Sequence, residues 1–177
     1  MEDPISRAFR KIVEEIYWED DVEEAVRRLQ AYLEAMDEDL RSLLLEKRKK
    51  ICSSPESVLN LIRLDALAEA SEDETVKKIL ILRGMTETLF LAQCTKRWSE
   101  LTPALKARVL APLYRASYGL EMTVKNPERV DALHLDQAER NLELAYTRAD
   151  ELGILDELYI YVDRKAKEIL ESLDDEN

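Results

Sequence analysis

The sequence predicts an all-α protein, and three observations carry that expectation. Glycine is scarce: among 177 residues there are only Gly84, Gly119 and Gly153. A β-rich fold of this length needs many more tight turns, which favour positive φ. Apolar residues make up 46 % and charged residues 36 %, the balance of helices with one apolar and one charged face. Apolar residues also recur at alternating spacings of three and four, the helical period. These features imply about seven helices joined by short loops. They form a single domain over residues 1–177, either an antiparallel helical bundle or a short tetratricopeptide-like helical stack.

The first helix opens at Asp3-Pro4, a cap residue followed by proline at the first helical position. Ile5, Phe9, Ile12 and Ile16 form its apolar stripe. The "WEDD" at 18–21 breaks that stripe, and Asp20 or Asp21 can cap the second helix. Val22, Val26, Leu29, Leu33, Met36, Leu40 and Leu43 then form a seam suited to pairing with a neighbour, with "DED" at 37–39 as an interruption. The helix closes in "EKRKK", which sets Lys47, Arg48, Lys49 and Lys50 at the negative end of the helix dipole.

Ser54 as cap and Pro55 as first residue start a short helix. Its "SVLNLIRLDALAEA" is apolar on most faces, so it is expected to be the most buried element. Ser71-x-x-Glu74 reads as a capping box for a helix over residues 72–99. The "ILIL" at 79–82 is assigned to that helix because no partner strand is visible. Thr102-Pro103 starts the next helix, with Leu105, Val109, Leu113, Ala116, Leu120 and Val124 on one face. Pro112 falls inside this pattern and should kink or split it. Asn126-Pro127 caps a further turn.

The last two helices are expected to pair as a hairpin. Leu135, Ala138, Leu142, Ala145, Ala149 and Leu152 face inward on the first, and Gly153 stops it. Its "AYTRADELG" at 145–153 has a tetratricopeptide flavour, but the consensus positions of that repeat are not filled together. Asp156 caps the second, with Leu155, Tyr159, Val162, Ala166, Ile169 and Leu173 inward. The acidic tail 174–177 should fray.

Charge narrows the functional classes. The formal net charge is −12, which opposes broad contact with DNA or RNA and suits a basic partner. No run of about 18 apolar residues is present, so no membrane span is expected. The opening "MEDPISRAF" lacks the basic and apolar regions of a signal peptide, which points to the cytoplasm. Cys52 and Cys94 fit no zinc spacing and read as two small buried apolar residues. Three Gln and four Asn make the chain poor in amides and rich in charge, the trend of hyperthermophile proteins.

The only histidine lies in "ERVDALHLDQAER" at 128–140. Asp131 and His134 share a helical face, but no second histidine exists to build a metal site. The Arg129-x4-His134 spacing resembles the Arg-x4–6-His signature of the HEPN-type helical ribonucleases over six residues. That resemblance implies an arginine that steadies phosphate and a histidine in acid–base chemistry, with two copies meeting across a dimer. Val130 departs from the family pattern at a place usually polar. A helix boundary explains more of these residues: Asp136 as N-cap, Glu139 as its capping-box partner, and His134 in the turn before.

Further candidates are interaction residues. Lys47, Arg48, Lys49 and Lys50 could join Lys77, Lys78 and Arg83 in a basic strip that contacts phosphate. Their simpler role is to compensate the helix dipole. Tyr114, Tyr118, Tyr159 and Tyr161 could supply aromatic contacts, with Tyr159 placed on the inward stripe and Tyr161 off it. Trp18 and Trp98 lie near helix ends. Trp98, flanked by Lys96, Arg97 and Glu100, would be a hot spot if exposed. No phosphate loop or Ser–His–Asp order is present, and no cofactor or metal is implied. The sequence therefore points to a non-enzymatic helical module that binds another protein as scaffold or adaptor, or pairs as a homodimer. The alternatives are an RNA-cleaving enzyme using Arg129 and His134, or a nucleic-acid-associated subunit using residues 47–50.

Overall fold

A computed structural model describes residues 21–35, 42, 46, 49–125 and 132–175. These residues are helical throughout apart from short turns, and no strand occurs among them. The elements are α1 (Val22–Ala35), α2 (Glu56–Ala70), α3 (Glu74–Phe90), a 3-10 turn (Leu91–Cys94), α4 (Lys96–Ser99), α5 (Pro103–Lys125), α6 (Ala132–Glu151) and α7 (Leu155–Asp175). Residues 49–53 are also helical. Several sequence expectations lie outside the described residues: the helix after Asp3-Pro4, Trp18, the "DED" at 37–39, and the turn at Asn126-Pro127.

Local chemistry explains most helix starts. The Asp21 carboxylate accepts from the N–H groups of Glu23 at 3.0 Å and Glu24 at 3.4 Å, so it caps α1 as expected. Ser54 Oγ accepts from Glu56 N at 3.2 Å ahead of α2. Thr102 Oγ1 accepts from Leu105 N at 3.3 Å ahead of α5. The capping box at Ser71 does not form. Asp73 caps α3 instead, accepting from Thr75 N at 2.9 Å and Val76 N at 3.1 Å. A carboxylate is the stronger acceptor at a helix N-terminus, and Ser71 becomes the C-cap of α2.

The long helix expected over 72–99 is three pieces. "ILIL" is helical within α3, then the chain tightens into the 3-10 turn and restarts as α4. Thr95 makes that restart: its Oγ1 donates to Ala92 O at 2.7 Å and accepts from Trp98 N at 3.3 Å. The Glu157 carboxylate, from α7, accepts from Lys96 N at 2.8 Å and Arg97 N at 3.0 Å. Arg97 Nε in turn donates to Leu152 O at 3.0 Å. A one-turn helix has no stability of its own, and these bonds tie α4 to the junction of α6 and α7.

The core is one buried cluster drawn from every one of these elements, including the 3-10 turn through Leu91 and Ala92 and α4 through Trp98. α5 is its axis. Ala107, Val109, Ala111, Pro112, Leu113 and Ala116 on this helix are almost wholly shielded from solvent. It packs most extensively on α6, then on α1, and also on α3. α2 pairs with α3 as a hairpin on the outside of this arrangement. The short helix expected to be most buried is therefore peripheral: α2 buries only Val58, Leu64 and Ala68, and Leu67 is 56 % exposed.

α6 carries the predicted stripe, with Leu135, Ala138, Leu142, Ala145 and Ala149 all buried. It ends as the sequence implies. Gly153 adopts φ 72°, Ile154 N donates to Ala149 O and Gly153 N to Asp150 O, both at 3.0 Å, the bonds of a glycine-terminated helix. The hairpin partner is different from the expected one. α6 pairs with α5, whereas α7 packs mainly on α2 and the 3-10 turn. α7 also runs through Asp174 and Asp175, so these two residues of the tail are helical and not frayed.

Cys52 and Cys94 are a disulfide, with Cα atoms 5.4 Å apart. They are not the pair of buried apolar thiols expected from the sequence. The bond joins the helical segment 49–53 to the 3-10 turn. Tyr161 reinforces the same junction by donating its hydroxyl to Cys52 O at 3.0 Å.

Pro112 neither splits nor interrupts α5. Proline lacks the N–H that would bond the carbonyl four residues back, which leaves the carbonyl of Arg108 without that helical donor. Arg148 on α6 supplies one: its Nη1 donates to Arg108 O at 2.8 Å. Burial and the nearby Arg108 charge lower the Arg148 pKa, but guanidinium stays charged at any ordinary pH. Arg148→Met is expected to cost about 1–2 kcal/mol. In a Pro112→Ala background, where residue 112 regains its N–H, the same change should cost less. A double-mutant cycle by chemical denaturation measures this difference. Equal costs in both backgrounds would show that Arg148 acts by packing alone.

Candidate functional site

The sequence candidates do not converge on one site. Arg129, Asp131, Lys47 and Arg48 lie outside the described residues. Lys49 and Lys50 are exposed. His134 is exposed too, but in the first turn of α6 and not in a turn before it, because the helix starts at Ala132. Asp136 therefore sits inside the helix and is not its N-cap. It pairs with α3: Lys78 Nζ lies 3.2 Å from Asp136 and 3.0 Å from Glu139. Hydrogen bonds to Glu139 and Asp136 raise the Lys78 pKa. Any stability from this triad is present below the ordinary lysine pKa and is lost as pH rises through the raised one. Lys78 is thus committed to carboxylates.

The aromatic candidates are also redistributed. Trp98 is 4 % exposed; it belongs to the core and cannot serve as an exposed hot spot. Tyr161, placed off the inward stripe by its spacing, is half-buried, and Arg164 lies 6.0 Å from its ring centroid. Tyr159, placed on that stripe, is 49 % exposed. The exchange of these two tyrosines comes from the partner of α7: packing on α2 and the 3-10 turn brings in Leu158 and Tyr161, while Leu155, Val162, Ala166 and Ile169 of the expected stripe still pack against the core. Tyr114 is buried with its ring centroid 5.7 Å from that of Phe90, and burial raises its pKa. Tyr146 donates to Met85 O at 2.8 Å, joining α6 to α3.

Among the described residues, two surface features stand out beside the exposed Leu67, Val76 and Ile81 of α2 and α3. One is the outer side of α7, where Tyr159, Ile160, Leu170 and Leu173 are 49, 67, 49 and 48 % exposed. At 100° per residue, Tyr159, Leu170 and Leu173 lie within about 60° of one another, and Ile160 flanks them. α7 carries seven carboxylates against three basic side chains, a formal charge of −4.

The other is a half-open cleft of about 520 Å³ between α3 and α5. α3 contributes Arg83, Thr86, Glu87 and Phe90; α5 contributes Ser117, Leu120 and Glu121. Glu87 is half-buried and its carboxyl pKa is raised by burial, an effect that the Arg83 guanidinium opposes. Thr86 is buried and donates its hydroxyl proton to Leu82 O at 2.8 Å. Sequence reasoning misses the cleft because Arg83 and Glu87 resemble an ordinary solvated pair. The usable signal is their i, i+4 spacing on the face that also carries Phe90, opposite Ser117 and Glu121 at the same spacing.

Among the described residues no group of three or more His, Cys, Asp or Glu side chains is arranged to hold a metal ion. No helix among them is long and apolar enough to cross a membrane. No protein-family model, curated protein or solved structure matches the chain.

Proposed function

We propose that the protein is a helical interaction module whose outer α7 face receives a basic amphipathic helix of a partner protein. The observation that supports this reading is the row of half-exposed Tyr159, Leu170 and Leu173, with Ile160 beside it. Large apolar groups on one helix face offer area for burial, and such patches mark interaction surfaces when they are contiguous. The formal −4 of α7 and −12 of the chain select positive flanks on the partner. Helix-in-groove recognition uses this combination of an apolar row and complementary charge.

The compartment belongs to the same proposal. A disulfide persists in oxidising compartments, or in the cytoplasm of hyperthermophiles. The amide-poor, charge-rich composition points to the second case, which keeps the cytoplasmic assignment compatible with the Cys52–Cys94 bond.

Fluorescence polarisation with a labelled 18-residue Leu/Lys amphipathic peptide, about five helical turns, tests the surface. A peptide of the same composition with scrambled leucines is the control. The amphipathic peptide should bind, weaken with added salt, and lose at least about tenfold affinity in a Tyr159→Ser, Leu170→Ser, Leu173→Ser variant that keeps its helical content. Equal binding of the scrambled peptide, or unchanged binding by the variant, would refute the assignment. Sedimentation velocity separates a second possibility: a dimer that the triple variant dissociates would give this face to a second copy of the chain.

A further inference from the structure

We propose that the Cys52–Cys94 disulfide is a redox latch for α7: the bond holds the helix on its seat, and reduction to two thiols releases it while α5 and α6 stay folded. The inference does not depend on the reading of the outer α7 face. α7 has two polar anchors, and each lies beside one of the cysteines. Tyr161 donates its hydroxyl to the carbonyl of Cys52 itself at 3.0 Å. The Glu157 carboxylate accepts from Lys96 N at 2.8 Å and Arg97 N at 3.0 Å, two and three residues after Cys94. Glu157 and Tyr161 are one helical turn apart, a rise of about 6 Å. The two cysteine Cα atoms are 5.4 Å apart. The disulfide therefore fixes the spacing of the two chain segments that one turn of α7 must bridge.

The apolar support of α7 comes from the same place. It packs mainly on α2 and the 3-10 turn, whereas α5 and α6 pack most extensively on each other. Loop-closure entropy does not account for this hold. The cross-link closes the loop from Cys52 to Cys94, and α7 lies outside that loop. A cross-link that acts only on the unfolded chain leaves the local undocking of α7 unchanged, so control of α7 has to come from the folded seat. Cys52 and Cys94 are both part-exposed, within reach of a reductant. A dithiol supplies the two electrons and two protons. One of its thiolates attacks a sulfur of the pair, forms a mixed disulfide and expels the other cysteine, which takes up a proton. Its second thiol then closes the donor's own disulfide and frees the first cysteine as a thiol. Undocking bares Leu158, wholly buried in the oxidised protein, together with Val162, Ala166 and Ile169.

Subtilisin digestion of the full chain tests the latch, since that protease has no disulfide of its own and cuts chain that has opened locally. The protein is equilibrated across ratios of reduced to oxidised dithiothreitol, below the melting temperature of the reduced form. Alkylation gives the fraction of reduced cysteines, and mass spectrometry locates the cuts. Cleavage within α7 should be at least about tenfold faster in the reduced protein, the effect on an opening equilibrium of losing one hydrogen bond to a charged group. Its rate should follow the reduced fraction and fall again on reoxidation, while α5 and α6 stay uncut. Cys52→Ser, Cys94→Ser should behave as the reduced protein. A Glu157→Ala, Tyr161→Phe variant, with helical content checked by circular dichroism, should be cut in α7 at nearly the reduced rate even when oxidised. Equal α7 cleavage in the two redox states would overturn the proposal. So would simultaneous cuts in α5 and α6, or an undiminished redox effect after loss of both anchors.

Discussion

Trp98→Ala should lower stability by about 3–5 kcal/mol, the cost of emptying a large aromatic site in a packed core. The indole is 4 % exposed and joins the same cluster as Leu91, Ala92 and Leu158. It cannot relax easily, because its backbone is held on both sides. Trp98 N donates to Thr95 Oγ1, and the preceding N–H groups of Lys96 and Arg97 end on Glu157. Trp98→Phe keeps part of the ring volume and should recover part of the loss. Chemical denaturation at constant m-value measures both. The same variants distinguish a core residue from a binding residue. While folded, Trp98→Phe should leave peptide affinity at α7 unchanged, and a tenfold loss with unchanged stability would return Trp98 to the interface.

The elements legible in the sequence are those whose signals are local. The stripe from Leu135 to Leu152 and the stop at Gly153 depend on one helix and its own turn, and both are present. The same is true of Asp21 and Thr102, whose caps act within three residues. "ILIL" is legible as helix because the chain offers it no partner strand.

Sequence reading fails where a distant partner decides. On α7 the expected stripe holds at Leu155, Val162, Ala166 and Ile169, which pack against the core, but packing on α2 and the 3-10 turn also brings in Leu158 and Tyr161 and leaves Tyr159 and Leu173 exposed. Periodicity cannot separate the pairing of α5 with α6 from a pairing of α6 with α7, since all three carry apolar stripes. At Trp98 the three flanking charges suggest exposure. On a one-turn helix, however, Lys96, Arg97 and Glu100 point outward while the indole points in. Asp73 displaces Ser71 as a cap two residues away because both are competent acceptors. The cleft is hidden for a related reason: its lining residues come from two helices 27 or more positions apart, Glu87 and Phe90 on one side and Ser117 on the other.

The Cys52–Cys94 bond is the clearest long-range case, and its removal is the second large effect. A separation of 42 residues carries no sequence mark of proximity, yet it determines how much a cross-link restricts the unfolded chain. Loop-closure entropy for that length corresponds to about 4 kcal/mol, and measured disulfides cluster near 2–4 kcal/mol. Reduction should therefore lower the melting temperature by roughly 5–15 °C for a chain of this size. The effect should be larger in kinetics at the α7 end than at the centre of the core. The bond ties the segment before α2 to the 3-10 turn; α7 packs on α2 and on that turn, with Tyr161 bonded to Cys52 O. Hydrogen exchange after reduction should accelerate first in α7 and the 3-10 turn, while the amides of α5 and α6 keep their protection. A Cys52→Ser, Cys94→Ser variant should match the reduced protein and be insensitive to dithiothreitol. A melting temperature that does not move on complete reduction, verified by thiol titration, would mean that the bond contributes no net stability to the fold.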